Sequence, residues 1–357
     1  MKSLITIRNI AGGALMACLV LGSCKKDKDY RLTSASANPA PGTIDPGEAP
    51  ANAMITLTGS GLGDIRTIVF DSGQVNAELN PAFNTDNAVL FRVPLDAYPA
   101  SQNIVFTNGL GKQFSVPFKV LGFAVISDVS NYNFVAGDVI TLTGKNLADV
   151  TEVTLVEDAT ATVTIVSKTA TTLTIKMPAT TKTRSALYIT NGAGTITTTQ
   201  EFVNMAYVFV IFAEGYGDDV QNGSWGPAGI STTVAKSGTM SFQAGYNKGN
   251  WSADGFASWT KGIAYNADYK YLSFWVKGGS EDLTFYITGD KRAGGYGNAD
   301  VSAPILVPAK VWTYFKISLT SLDLWNKGTP FNQLGWWVKG PDSQDETLYF
   351  DDVILVK

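Results

Sequence analysis

The pentapeptide Ile55-Thr56-Leu57-Thr58-Gly59 returns as Ile140-Thr141-Leu142-Thr143-Gly144, and it brings its surroundings with it. Leu62 is answered by Leu147, Asp64 by Asp149, Val93-Pro94 by Met177-Pro178 and Thr107-Asn108-Gly109 by Thr190-Asn191-Gly192. A pattern repeated in order at a spacing of about 85 residues means that one small unit is built twice. The alternation of Ile55 and Leu57 with Thr56 and Thr58 is that of a strand with one buried face. Around these motifs the chain is dense in Thr, Val, Ile, Phe and Tyr. Gly, Asn, Asp or Pro interrupt it roughly every eight to twelve residues, so an all-β chain is predicted.

The two units are assigned to residues 41–121 and 122–205. All eight tryptophans follow them, between Trp225 and Trp337. This shift in composition marks a third domain, 206–357, long enough to bury its own core. Strands are predicted at Val208 to Phe212, Ser241 to Tyr246, Tyr271 to Lys277, Leu283 to Thr288, Trp312 to Leu319, Gly335 to Val338 and Leu348 to Val356. Two antiparallel sheets in a jelly roll are their natural closure.

Lys2 and Arg8 precede an apolar run from Ile10 to Leu21, too short for a stable span, which ends in Leu21-Gly22-Ser23-Cys24. This is the shape of a lipoprotein signal peptide over 1–23, with Cys24 as the acylated first residue of the mature chain. A linker, 24–40, follows. Lys25, Lys26 and Lys28 beside the anchor suit a membrane-proximal tether. The other cysteine, Cys18, lies in the removed segment, so no disulfide is expected within one mature chain.

Histidine is absent, which excludes Ser-His-Asp and Cys-His nucleophile systems. Charged residues make up 16% of the chain with a formal net of -4, and nucleic acid is not an expected partner. A glycosidase would have to use carboxylates alone, and none falls in a recognisable motif. No cofactor is required.

A sugar ring offers a C–H face and a rim of hydroxyls, so gripping a glycan calls for flat aromatic rings among amides and carboxylates. Trp225 in Asn222-Gly223-Ser224-Trp225-Gly226-Pro227, Trp251 after Lys248-Gly249-Asn250, and Trp259 have the polar surroundings of exposed rings. Tyr296 lies in the glycine-rich stretch Arg292-Ala293-Gly294-Gly295-Tyr296-Gly297-Asn298. Trp275 and Trp312, each inside an apolar run, read as core or inter-sheet residues. Alternation sends Trp336 and Trp337 to opposite faces, and Trp325 reads as a loop cap.

The repeats resemble the IPT/TIG family of immunoglobulin-like domains, in which Gly59 and Gly144 would sit at a tight turn with positive φ. Their exposed positions are mostly Thr, Ser, Asn and Ala, and they are read as spacers. The ending Tyr349-Phe350-Asp351-Asp352-Val353-Ile354-Leu355 resembles the last strand of carbohydrate-binding jelly rolls. As a whole the chain resembles the surface glycan-binding lipoproteins of Bacteroidota polysaccharide-utilisation systems, those with a C-terminal xyloglucan- or β-glucan-binding domain. That resemblance implies non-catalytic capture of a polysaccharide at the exterior face of the outer membrane, alongside a glycan transporter complex. It implies stacking by Trp225 and Trp259, with Trp251 and Tyr296 as additions, and a structural Ca²⁺ held by Glu214 and by Asp351 or Asp352. Adhesion to another partner is the alternative use of the same rings, and a carboxylate-only glycoside hydrolase is the alternative chemistry.

Overall fold

The structure, a computed structural model, describes residues 33–298, 301–325 and 328–357. The signal segment, Cys24 and the linker as far as residue 32 lie outside the described residues. Nearly every described element is a strand, joined by short 3-10 turns. The chain divides into two compact units, residues 1–122 and 123–357.

The first unit closes a three-stranded sheet (Ala40–Asp45, Met54–Ser60, Ala88–Arg92) over a five-stranded one that includes Ile65–Phe70, Ser101–Asn108 and Gln113–Leu121. Ile55 and Leu57 point into its core against Phe91, Phe106 and Ile68. The second unit begins with a module built the same way. There Ile140 and Leu142, on the strand Val139–Lys145, enter a separate core with Leu173, Ile175 and Phe202. Burying side chains of this kind stabilises each module by roughly 1.5–3 kcal/mol apiece relative to leaving them exposed.

Gly59 and Gly144 do not take positive φ. The left-handed residues are two positions further on, Gly61 (φ 67°) and Asn146 (φ 58°). What excludes a side chain at the two glycines is a neighbouring strand. A Cβ on Gly59 would stand 2.5 Å from the carbonyl oxygen of Ala40, and on Gly144 it would meet that of Val125. Both lie where the pairing with the neighbouring strand shifts register or ends, so close backbone approach is the reason for glycine there.

From Phe209 to the end the chain forms a two-sheet antiparallel sandwich. A six-stranded sheet contains Ser241–Tyr246, Glu346–Val356, Tyr271–Lys277 and Trp312–Ser318. A five-stranded sheet runs in the order Gln221–Asn222, Trp251–Ala257, Gln333–Lys339, Leu283–Gly289, Ile305–Val307. Phe242, Phe256, Phe274, Phe285, Trp336 and Phe350 fill the space between the sheets. Trp336 stacks on Phe350 with centroids 4.0 Å apart. Trp325 belongs to this core as well, and its indole N–H donates to the carbonyl of Ile263.

Trp275 is buried, but not between the sheets. Alternation along Tyr271–Lys277 sends Leu272, Phe274 and Val276 inward and Trp275 to the outer face of the six-stranded sheet. The preceding module covers it there. Tyr132 lies nearly parallel to its ring, 5.9 Å away, and Asn131 accepts its indole N–H at 3.0 Å. Beside this contact Glu201 takes both Arg184 and Lys316, while Val203, Ile354 and Val356 form a small apolar seam. The two modules of this unit are thus joined by buried rings and ion pairs.

Candidate functional site

The other outer face, that of the five-stranded sheet, gathers the exposed rings. On Trp251–Ala257 the inward side chains are Ser252, Asp254 and Phe256, which leaves Trp251, Ala253, Gly255 and Ala257 outward. Across the sheet Trp337 pairs with Ala253, and Tyr286 pairs in turn with Trp337. The floor is therefore made of Ala and Gly, and the rings stand around it. Trp251 stacks on Trp337 with centroids 5.1 Å apart and planes 15° from parallel. Tyr286 tilts against Trp251 at 6.1 Å. Trp225 stands nearly perpendicular to Trp337, at 5.8 Å and 85°, and to Tyr296, at 5.9 Å and 80°.

Two loops bring Trp225 and Tyr296 to this sheet. After Gln221–Asn222 the chain continues alongside Trp251–Ala257, and the N–H of Trp225 donates to the carbonyl of Ala253 at 2.9 Å. The next amide, that of Gly226, donates to the buried Asp254 carboxylate at 2.7 Å. On the other flank Gly294, Gly295 and Gly297 all have φ between 77° and 87° and fold the loop tightly over Thr288. That hydroxyl donates to the Gly295 carbonyl and accepts the N–H of Gly297. The Tyr296 hydroxyl donates to the carbonyl of Ala253. Burial, then the nearby Asp254 charge, raises this phenol well above its ordinary range, so it stays neutral. Gly297 is glycine for a second reason, since a Cβ there would collide with the six-membered ring of Trp225.

Of the residues singled out from sequence, the structure brings together Trp225, Trp251 and Tyr296. Trp259 is 56% exposed just beyond the end of the strand that starts at Trp251, and it takes part in no ring contact among the described residues. Trp337 and Tyr286, which are not singled out from sequence, join this cluster. Trp337 could have been found by extending the alternation argument, because once Trp336 is inward its neighbour must be outward. The register that sets Tyr286 beside it is not written in the local sequence.

Glu214 and Asp351 converge on one loop as hydrogen-bond acceptors. Glu214 takes the amide and hydroxyl of Thr239, and Asp351 takes the amides of Lys236 and Ser237 on Oδ2 and that of Asp352 on Oδ1. A Ca²⁺ ion takes about six to eight oxygen ligands, whereas the groups aimed at these two carboxylates are amide and hydroxyl donors. No group of three or more His, Cys, Asp or Glu placed to hold a metal occurs among the described residues. As arranged, these residues do not fit a calcium site.

Trp225 and Trp251 are the exposed rings of this face, while Ala253, Gly255 and Gly335 beneath are buried and the Tyr296 hydroxyl lies over Gly335. Cavities of about 410 and 440 Å³ in this unit lie elsewhere, the first lined by Ile287, Arg292 and Phe315, the second by Tyr265, Tyr269 and Trp325. No family model matches the chain, and no curated protein matches it. Among solved structures it is similar to SGBP-B from a complex xyloglucan utilization locus in Bacteroides uniformis, with 16% identity over 90% of this chain and 100% of that one and a TM-score of 0.41. A surface glycan-binding protein from Prevotella bryantii matches at 18% identity, 90% and 100% coverage and a TM-score of 0.42. SGBP-B of a Bacteroides ovatus mixed-linkage glucan utilization locus, in complex with a mixed-linkage heptasaccharide, matches at 13% identity, 90% and 76% coverage and a TM-score of 0.35.

Proposed function

We propose that this chain captures a polysaccharide without cleaving it, on the aromatic face of its C-terminal sandwich. The observation that carries the reading is the cluster of Trp225, Trp251, Trp337, Tyr286 and Tyr296 on one sheet face, with Trp225 and Trp251 exposed to solvent. Rings at the surface of an all-Ala/Gly floor are not needed for the core, which has its own aromatic set. Left in water they cost free energy that a pyranose C–H face would recover. Trp225 and Trp251, exposed on this face, can meet the interior of a long chain as readily as its terminus, which suits a polymer such as xyloglucan or a related β-glucan.

The carboxylate beneath the rings supports capture over hydrolysis. Glycoside cleavage needs two of them flanking the bond, whereas Asp254, beneath the rings, is fully buried with one oxygen committed to Gly226. The remaining parts of the reading, a lipid anchor at Cys24, display at the outer membrane and service to a glycan transporter, rest on the sequence motif and the resemblance given above.

Calorimetric titration of xyloglucan, mixed-linkage β-glucan and mannan into the chain, with release of reducing ends followed in parallel, tests the proposal. Saturable heat with an intact polymer is expected. Reducing ends appearing with time, or no heat with any glycan, would refute it.

A further inference from the structure

We infer that Asp254 is the positioning residue of the aromatic face: its buried carboxylate fixes the Gly226 amide, and through that amide holds the Trp225 ring upright against Trp337. This rests on the binding reading above and assigns a role within the same site.

Asp254 has no exposed surface and points between the sheets from a strand whose other inward residues are Ser252 and Phe256. A charged group in that position demands a partner. Its Oδ1 receives the Gly226 N–H at 2.7 Å, while Oδ2 has no hydrogen-bond partner. The one strong bond it makes is therefore to the residue after Trp225. The segment is also tied on either side, by Gly223 and Ser224 to Gly255 and by the Pro227 carbonyl to the Gly245 amide, and the Asp254 bond is the side-chain tie next to the ring. Trp225 is 60% exposed, and its backbone is tied by one further bond, from its own N–H to Ala253. Gly226 is also packed too tightly to shift toward the sheet, since a Cβ there would meet the Gly245 carbonyl at 2.5 Å.

The titratable groups facing Asp254 are Tyr246, from the opposite sheet, and Tyr296, from the glycine-rich loop. Burial and then the Asp254 charge raise both phenols, so neither ionises near neutrality. Burial in turn raises the Asp254 carboxyl itself, opposed first by the Gly226 amide and then by the nearby Ser252 hydroxyl and Trp225 amide. On acidification the carboxylate becomes a poorer acceptor, and the turn loosens at a pH above the ordinary carboxylate range.

The test uses residues 24–357 with ¹⁵N-labelled indoles. In wild type the Trp225 indole resonance, assigned from Trp225→Phe, is expected to titrate with a midpoint above that of an exposed aspartate, and glucan affinity to fall along the same curve. Asp254→Asn should weaken binding at pH 7 about fivefold, the scale of one hydrogen bond, and should flatten the pH profile. In a Trp225→Ala background Asp254→Asn should add nothing. A Trp225 resonance that ignores both pH and Asp254→Asn would overturn the inference, as would a fivefold loss that persists without Trp225. Should Asp254→Asn not fold, the wild-type titration decides alone. Should no glycan bind, the resonance still reports on positioning, and only the binding reading fails.

Discussion

Trp251 and Trp337 lie 5.1 Å apart and 15° from parallel, so each ring covers one face of the other, with Tyr286 packed against Trp251 and Trp225 perpendicular to Trp337. The pair comes from adjacent strands of one sheet, where the position of each ring is set by backbone pairing. Such a platform is rigid before any ligand arrives, and little side-chain entropy is lost on binding.

Removing a ring from this platform should cost affinity and spare the fold. Trp251→Ala and Trp225→Ala are each expected to lose about 1–3 kcal/mol of glucan binding, with the thermal midpoint nearly unchanged because both rings are exposed. Trp259→Ala, outside the cluster, should lose less. Calorimetry and melting curves on the three variants check this ranking.

Gly297→Ala should act on the site from a distance of one residue. Its φ of 78° disfavours any side chain, and the new methyl would press on the Trp225 ring. A stability loss of about 1 kcal/mol with a several-fold loss of glucan affinity is expected. An affinity loss in Gly297→Ala that vanishes in a Trp225→Ala background would identify the ring as the route.

Trp275→Ala should show the opposite profile. Its ring is buried between Tyr132, Tyr314 and the Lys236 ammonium, and truncation should cost about 3–5 kcal/mol. Urea denaturation should show this loss, while folded protein keeps its glucan affinity. By the same argument residues 206–357 alone would expose Tyr271, Trp275, Ile354 and Val356, so they should aggregate where residues 123–357 stay soluble.

Stability should depend on Asp351. Burial and the adjacent Asp352, against hydrogen bonds from Lys236 and Ser237, push its carboxyl up to about 7. The folded value lies above the unfolded one, so the neutral acid favours the fold. That contribution is complete below pH ~4 and is lost as the pH rises through about 7. Asp351→Asn should flatten the fall in melting temperature between about pH 4 and 7. Added Ca²⁺ should leave both curves in place, since the oxygens of Asp351 already accept three amides.

Most of the fold was legible in the sequence because alternation and turn residues act locally. Ser241–Tyr246 and Tyr271–Lys277 have the predicted bounds, and the other predicted strands differ by one or two residues at an end. The strand Trp251–Ala257 was missed, because Ser252, Asp254 and Gly255 break the apolar alternation. They do so for reasons of tertiary structure: Asp254 meets the Gly226 turn, and a Cβ on Gly255 would strike the neighbouring strand at Leu334 and Gly335. Polar surroundings correctly marked Trp225 and Trp251 as exposed. They could not distinguish Trp259, equally exposed but apart from the cluster, because clustering depends on register between distant segments. Trp275 shows the converse, a ring in an apolar run that is buried by another module instead of its own core.

The sandwich leans on its neighbour through the outer face of one sheet and carries its rings on the outer face of the other. Because the preceding module packs on the other sheet, it forms no wall against a strand of polymer lying on those rings. Several copies can then hold one molecule at once, each after the first binding at the high effective concentration set by the shared tether. Weak single contacts would add up to long residence on a densely covered surface, and still let the polymer be drawn away lengthwise, one contact at a time.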